Sequence, residues 1–384
     1  MVSEPHGGEL VDRETSPPVD VQKLPEVEIN NDQYMDLEMI ATGAYSPLTG
    51  FMDREDFRNV LYERRLSDGT PWSIPVVLTS DERPEEGKHA LRYGDSLVGA
   101  VEITDVWQHD WREWSDAVLD TTDTEHPGVR RIRELDTWMV GGEIELYSDT
   151  PEKSYEIRRT PRDTRREFRH RGWDSVVGFQ TRNPPHRAHE YLQKCALETV
   201  DGLFLQPIVG STKPTDVDAD VRMEAYERLV EGYHVVDRVS LSTLKTPMRY
   251  AGPREALFHA IVRQNYGCTH FIIGRDHAGV KDYYGSYEAH ELLRSFEDEI
   301  DVTPLYFDYA FYCHGCDGMA TKKTCSHGDS LRENPSGTKI RRKARRGGEV
   351  SDKIMRPEIW RLVRKGLDGE ARREQGAELR TEVD

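Results

Sequence analysis

QTRNPPHRAHE, residues 180–190, decides how this chain is read. The five residues before it, Ser175-Val176-Val177-Gly178-Phe179, are mostly apolar and β-favouring and predict a short buried strand. After it, Ala188, Tyr191, Leu192, Cys195 and Ala196 recur at helical spacing. Pro185 suits a first helical turn, where its missing N–H would lack a partner anyway. The stretch is therefore a strand–loop–helix corner, and the helix N-terminus brings unpaired N–H groups and a partial positive charge. Into it are packed two amides (Gln180, Asn183), a hydroxyl (Thr181), a guanidinium (Arg182) and two imidazoles (His186, His189). All can donate hydrogen bonds, and no carboxylate precedes Glu190. Such a corner suits anions.

Outward from the corner, strands alternate with helices. Strands are expected at 175–179, 203–209, 239–241 and 270–273, and helices near 185–199, 217–231, 253–266 and 286–297. Alternation of this kind implies a parallel sheet with helices on both faces, which binds ligands at the carboxyl ends of its strands. A second polar motif, GRDHAG at 274–279, also directly follows a strand, so the two motifs are expected to share a site.

The first 170 or so residues follow another rhythm, counted roughly in domain-sized units. Residues 1–26 are polar, with Pro17, Pro18 and Pro25, and are expected to form a flexible tail. A helix is expected from Asn31 through Tyr34, Leu37, Ile40 and Ala41. SPLTGFM (46–52) reads as a turn, and Asp53 as the cap of a helix carrying Phe57, Val60 and Leu61. A strand is expected at 74–78, strands within 89–107 around Gly94-Asp95, and a further pair within 138–147 around Gly141-Gly142. Thr160-Pro161-Arg162-Asp163 opens another helix. This is a mainly β N-terminal domain.

At 384 residues, two or three domains are expected, with ample apolar content for real cores. No apolar run of about 18 residues occurs, and the N-terminus lacks a signal-peptide core, so a cytoplasmic protein with no membrane span is expected. Five cysteines, three of them clustered, argue against a disulfide framework. The net charge of −18 disfavours nucleic acid as a partner. Acidic residues spread along the chain, with arginine outnumbering lysine, suggest a halophilic source whose salt screens self-repulsion; an ordinary acidic enzyme is the alternative.

Cys313-x-x-Cys316, then Cys325 and His327, is a second constellation. Zinc prefers thiolate and imidazole in a tetrahedron, and C-x₂-C is a usual first half. A set of free thiols is the alternative, and Asp329 and His314 compete with His327 as fourth ligand. A closed four-ligand site would be structural.

QTRNPPHRAH, together with PMRYAGPREALFHAIVRQNYGCTHFIIGRDHAG (247–279), SPLTGFM and SGTKIR (336–341), resembles the ATP sulfurylase (sulfate adenylyltransferase) family over roughly residues 27–365. The resemblance implies an α/β fold. Its parts would be a PUA-like N-terminal domain over 27–165, a Rossmann-like nucleotidyltransferase domain over 166–308 and a zinc-containing C-terminal region over 309–384. It implies the reaction of ATP and sulfate to adenylyl sulfate and pyrophosphate, with Mg²⁺ accompanying ATP, a structural Zn²⁺ and a homodimer or higher homo-oligomer. Carried onto this sequence, Gln180, Arg182 and the backbone of Ala278 would hold sulfate. Thr181, Arg182 and Asn183 would stabilise the α-phosphoryl group. His186 and His189 would contact the ATP phosphates, Gly274, Arg275, Asp276 and His277 would frame the nucleotide, and Met319 would meet adenine through its backbone. Gln206 stands where many relatives have histidine. No G-x-x-x-x-G-K-[ST] loop occurs, so a fused kinase is not expected.

Each motif has a plainer reading. H-x-x-H suits a metal pair or two satisfied surface histidines, Arg275-Asp276 a structural ion pair, and Thr338-Lys339 a helix start. A nucleotidyltransferase with another acceptor, and an RNA-binding protein built from a PUA-like domain and zinc, are the competing functions.

Overall fold

The computed structural model describes residues 2–147, 157–210, 217–335 and 337–367. The chain divides into two compact units, Met1–Val176 with Lys245–Tyr306, and Val177–Leu244 with Phe307–Asp384.

The first unit holds a mostly antiparallel sheet. Its strands are β1 (Glu14–Thr15), β2 (Glu26–Glu28), β3 (Gly50–Phe51), β4 (Leu78–Ser80), β5 (Gly87–Tyr93), β6 (Ser96–Gln108) and β7 (Trp138–Tyr147). The order is β1-β7-β6-β5-β2, and β3 and β4 also pair with β7. Gly94 and Asp95 do turn the chain between β5 and β6. Gly141 and Gly142 do not turn it: β7 runs through them unbroken. A Cβ on Gly141 would lie 2.6 Å from the Met52 carbonyl, and one on Gly142 would lie 2.0 Å from that of Glu102. These glycines mark close approach of neighbouring chain rather than a hairpin. The strand expected at 74–78 begins only at Leu78, because Pro75 interrupts the run, although Ile74, Val76 and Val77 are buried.

Caps follow the sequence. Asn30 and Gln33 form a capping box on the helix Asn31–Ala41, Asp53 caps Arg54–Glu63, and Thr160 and Asp163 form a second box on Pro161–His170. The flexible tail expected over 1–26 is instead tied down. The Ser3 hydroxyl lies 2.7 Å from the Cys268 and Asp301 carbonyls, the His6 N–H donates to Asn265 Oδ1 at 2.9 Å, and Arg165 donates to the Ser3 carbonyl at 2.6 Å. Low hydrophobicity hid this segment because most of these anchors are polar bonds to remote residues, with Val21 the one buried apolar side chain of the segment in the core among the described residues.

The same unit contains the helix Gly252–Asn265, buried on nearly every side. Several of its polar groups are satisfied inside. Arg254 donates to the Val60 and Leu61 carbonyls, and the Asn265 amide donates to those of Ala44 and Ser46. Phe258 packs against Tyr45 and Trp72 at ring separations of 5.0 and 5.5 Å. The strand β11 (His270–Ile273) follows that helix and pairs in parallel with β12 (Thr303–Tyr306).

In the second unit, β8 (Val176–Thr181, all but its first residue), β9 (Gly202–Pro207) and β10 (Val239–Leu241) lie in the order β10-β9-β8, with β9 and β10 parallel. The helices Arg187–Leu197 and Ala219–Tyr233 connect them. A small antiparallel sheet of β13 (Phe311–Cys313), β14 (Gly318–Ala320) and β15 (Arg332–Glu333) carries the cysteines. The α/β class, the mainly β N-terminal part and the parallel strands match the sequence reading.

Asp36 and Arg249 form a buried ion pair at 2.5 Å, with side chains only 4% and 11% exposed. Burial pushes the Asp36 carboxyl up, and the guanidinium opposes that push. Replacing Arg249 by Met should cost about 3–5 kcal/mol, because it strands a buried carboxylate. Urea unfolding of R249M against the parent checks this.

Candidate active site

β8 ends at Thr181, and the helix that follows begins at Arg187, later than Pro185 would suggest. His186 is its N-cap: its Nδ1 accepts from the His189 N–H at 3.4 Å. The two prolines therefore lie in the loop, and an imidazole does the work usually given to a hydroxyl or carboxylate. His186 and His189 stack at 3.7 Å between ring centroids, and Phe179 meets His189 edge-on at 5.3 Å. Burial pushes His186 down to about 4 and His189 well below its ordinary value. Both rings are neutral at pH 7, so they serve as single donors and not as cations. The positive charge of this corner comes from Arg182, Arg187 and the helix N-terminus.

Loop and helix are fixed from several sides. The Asn183 N–H donates to the Thr181 hydroxyl at 3.1 Å. Arg341 Nη1 donates to Asn183 Oδ1 at 2.8 Å, which leaves the amide NH₂ of Asn183 as the donor end. Arg341 lies on the helix Gly337–Arg345 of SGTKIR, and a Cβ on Gly337 would sit 2.9 Å from the same Asn183 oxygen. Ser336 lies outside the described residues. Glu190 is buried and bound by Lys194 at 2.6 Å and Arg356 at 2.8 Å, so the one carboxylate of the motif is neutralised. The Arg187 N–H donates to the Ile354 carbonyl at 2.9 Å. Gln206 is wholly buried and donates to the Thr243 carbonyl at 3.3 Å, a structural bond.

Met319 lies on β14 and packs with Ala188, Leu192, Tyr191, Phe307 and Ala310. Its side chain is partly buried against that cluster, and its residue pairs with Tyr312 in the sheet.

GRDHAG belongs to the first unit and follows β11. Asp276 and Ala278 have φ of 58° and 56°, the left-handed region that non-glycine residues seldom occupy. Strain of this kind persists only where surroundings hold it, and it clusters in functional loops. The hold is visible: the Asp276 N–H donates to the Ser286 carbonyl at 2.9 Å, and His290 Nε2 lies 3.2 Å from the Gly274 carbonyl. A Cβ on Gly279 would collide with the Asp276 carboxylate, which would have to move aside. A Cβ on Gly274 would meet nothing within 4 Å, so its lack of a side chain is not demanded by packing. Arg275 and Asp276 are exposed. His277 turns inward, its Nε2 3.2 Å from His259 Nδ1. Burial holds His277 down at about 4.

Cys313, Cys316, Cys325 and His327 place four ligand atoms within 4.8 Å of one another. Cys325 Sγ is 3.5 Å from Cys313 Sγ and 3.6 Å from Cys316 Sγ, and His327 Nδ1 lies 3.3–3.6 Å from the three sulfurs. A tetrahedral zinc with ordinary bond lengths would give edges of about 3.8 Å (S–S) and about 3.6 Å (S–N). The four residues fit that ion. The other candidates are engaged elsewhere, Asp329 with Arg332 at 2.5 Å and His314 with Glu333 at 3.5 Å.

The sequence reading missed Arg341 and the Glu190–Arg356 pair. Arg341 was within a motif already singled out, but its partner is 158 residues away, a distance no local pattern spans.

The family profile described as ATP-sulfurylase matches residues 155–366, and one described as PUA-like domain matches residues 3–149. A sulfate adenylyltransferase of Symbiobacterium thermophilum is 46% identical over 381 residues, covering 96% of this chain and 97% of the relative. One from Thermococcus onnurineus is 44% identical, covering 95% and 98%. A solved structure described as a hexameric APS kinase from Thiobacillus denitrificans superposes with a TM-score of 0.76 at 26% identity, over 95% of this chain and 69% of that one. With more than half its length matched by the family profile and near-complete alignment to such relatives, the chain belongs to the ATP-sulfurylase family.

Proposed function

We propose that the chain transfers the adenylyl group of ATP to sulfate, giving adenylyl sulfate and pyrophosphate. A sulfate oxygen attacks the α-phosphorus in line while pyrophosphate leaves. Sulfate is ionised at neutral pH, so no base has to create the nucleophile. The difficulty is to bring two anions together and to stabilise the negative charge spread over the transition state. The observation that carries this reading is the 180–190 corner, which gathers amide, hydroxyl and imidazole donors with two guanidiniums, Arg182 and Arg187, while its carboxylate is already paired.

Gln180 and Arg182 bind sulfate with the backbone of Ala278, the guanidinium fork matching a multi-oxygen anion. Thr181, Arg182 and Asn183 stabilise the α-phosphoryl oxygens, with the Asn183 amide turned donor-outward by Arg341. His186 and His189 donate to the ATP phosphates as neutral imidazoles. Gly274, Arg275, Asp276 and His277 frame the nucleotide, and the Met319 backbone meets adenine. Mg²⁺ enters with the ATP phosphates. Zn²⁺ on Cys313, Cys316, Cys325 and His327 closes a small region that buries little core. A homo-oligomeric cytoplasmic enzyme fits this reading, since the matched kinase is described as hexameric. No helix among the described residues is long and apolar enough to cross a membrane.

Molybdate replaces sulfate and its adduct hydrolyses, so the purified protein should release pyrophosphate from Mg-ATP only when molybdate is present. Arg182→Ala should reduce that release by roughly 10³-fold without changing the melting temperature. Parental turnover in R182A would overturn the assignment. Removing zinc with a strong chelator, or C316S, should lower Tm by about 10 °C or more, and added zinc should restore the parent. Stability should also depend on acid. His186 titrates near 4 in the folded chain and near 6.5 when unfolded, and His189 is lowered in the same sense. Between those values the unfolded chain binds more protons, so the urea midpoint should hold above about pH 6.5 and fall towards pH 4. H186N/H189N should flatten that fall.

A further inference from the structure

The helix Gly252–Asn265 carries a buried polar chain that ends on the GRDHAG loop. Glu255 is wholly buried, and its carboxylate accepts from the Arg249 N–H at 2.9 Å and the Ala251 N–H at 3.0 Å. Its Oε1 lies 3.6 Å from His259 Nε2, an electrostatic contact rather than a hydrogen bond. The other nitrogen of the His259 ring, Nδ1, lies 3.2 Å from His277 Nε2. Phe258 and Phe271 wall the two rings in.

We infer that Glu255 and His259 are positioning residues for the 274–279 loop, acting through the ring of His277. The inference rests on the reading above that this loop binds substrate. Two neutral imidazoles can share their bond in either sense. The carboxylate selects one: it draws the His259 proton to Nε2, leaves Nδ1 as an acceptor, and so requires His277 to donate from Nε2. His277 Nδ1 is then the acceptor nitrogen of its ring. The bond pins the loop between two residues in the left-handed region, Asp276 and Ala278, where a small shift of backbone would redirect the amides assigned to substrate.

The test uses the fact that an Asn side chain places its amide where His has Nδ1, whereas Gln places it where His has Nε2. In the molybdate assay, H259N should stay within about 5-fold of parental kcat/KM, while H259Q and H259A should lose up to about 10²-fold. E255Q should fall between. Most of the loss should be in kcat and in KM for ATP and molybdate, with similar Tm losses in H259N and H259Q. Activities that follow Tm, or equal activities in H259N and H259Q, would overturn the inference. Backbone amide NMR shifts of residues 275–278 provide a second reading that needs no turnover. They should move in H259Q and H259A but not in H259N, and an unmoved loop in all three would sink the inference. An inactive parent with this shift pattern would count against the proposed reaction alone.

Discussion

Two anions have to meet on a chain that carries a net charge of −18. That constraint organises the molecule. Long-range attraction cannot bring the reactants in, so binding depends on short-range donors held in place before the ligands arrive. The corner after β8 supplies them from one turn of backbone, the guanidiniums of Arg182 and Arg187 and a set of amide and imidazole N–H groups. The only carboxylate of the motif, Glu190, is locked by Lys194 and Arg356.

Burial makes the difference between a cationic patch and a donor set. The stacked rings of His186 and His189 are held neutral by the same apolar packing that fixes their orientation. A neutral donor loses less hydration than a cation when a phosphate displaces water from it. It also keeps its direction, because each ring is held by a neighbour. Preorganisation of this kind requires many supporting contacts, and they are present: Arg341 on Asn183, Ile354 on Arg187, Ser286 on Asp276.

Much of this was readable in the sequence, for identifiable reasons. The strand–loop–helix corner rests on hydrophobic periodicity and helix-terminus chemistry, both local, and β11 followed by GRDHAG was placed the same way. The C-x₂-C spacing and His327 were local too, and side-chain distances decided among three candidate fourth ligands. Failures share a cause as well. Gly141-Gly142 looked like a turn because glycine permits one, whereas here it admits the Met52 and Glu102 backbones. The polar first residues looked mobile because their anchors, Asn265, Cys268 and Asp301, are remote in sequence. The helix start moved from Pro185 to Arg187 because a histidine served as cap.

The most direct measurement of the central claim is imidazole ¹⁵N NMR of His186 and His189 in the free protein at pH 6. An exposed histidine would be mostly protonated there. The account requires one protonated and one bare nitrogen on each ring. Two protonated nitrogens on either ring would show that the corner works by cationic charge and would contradict it.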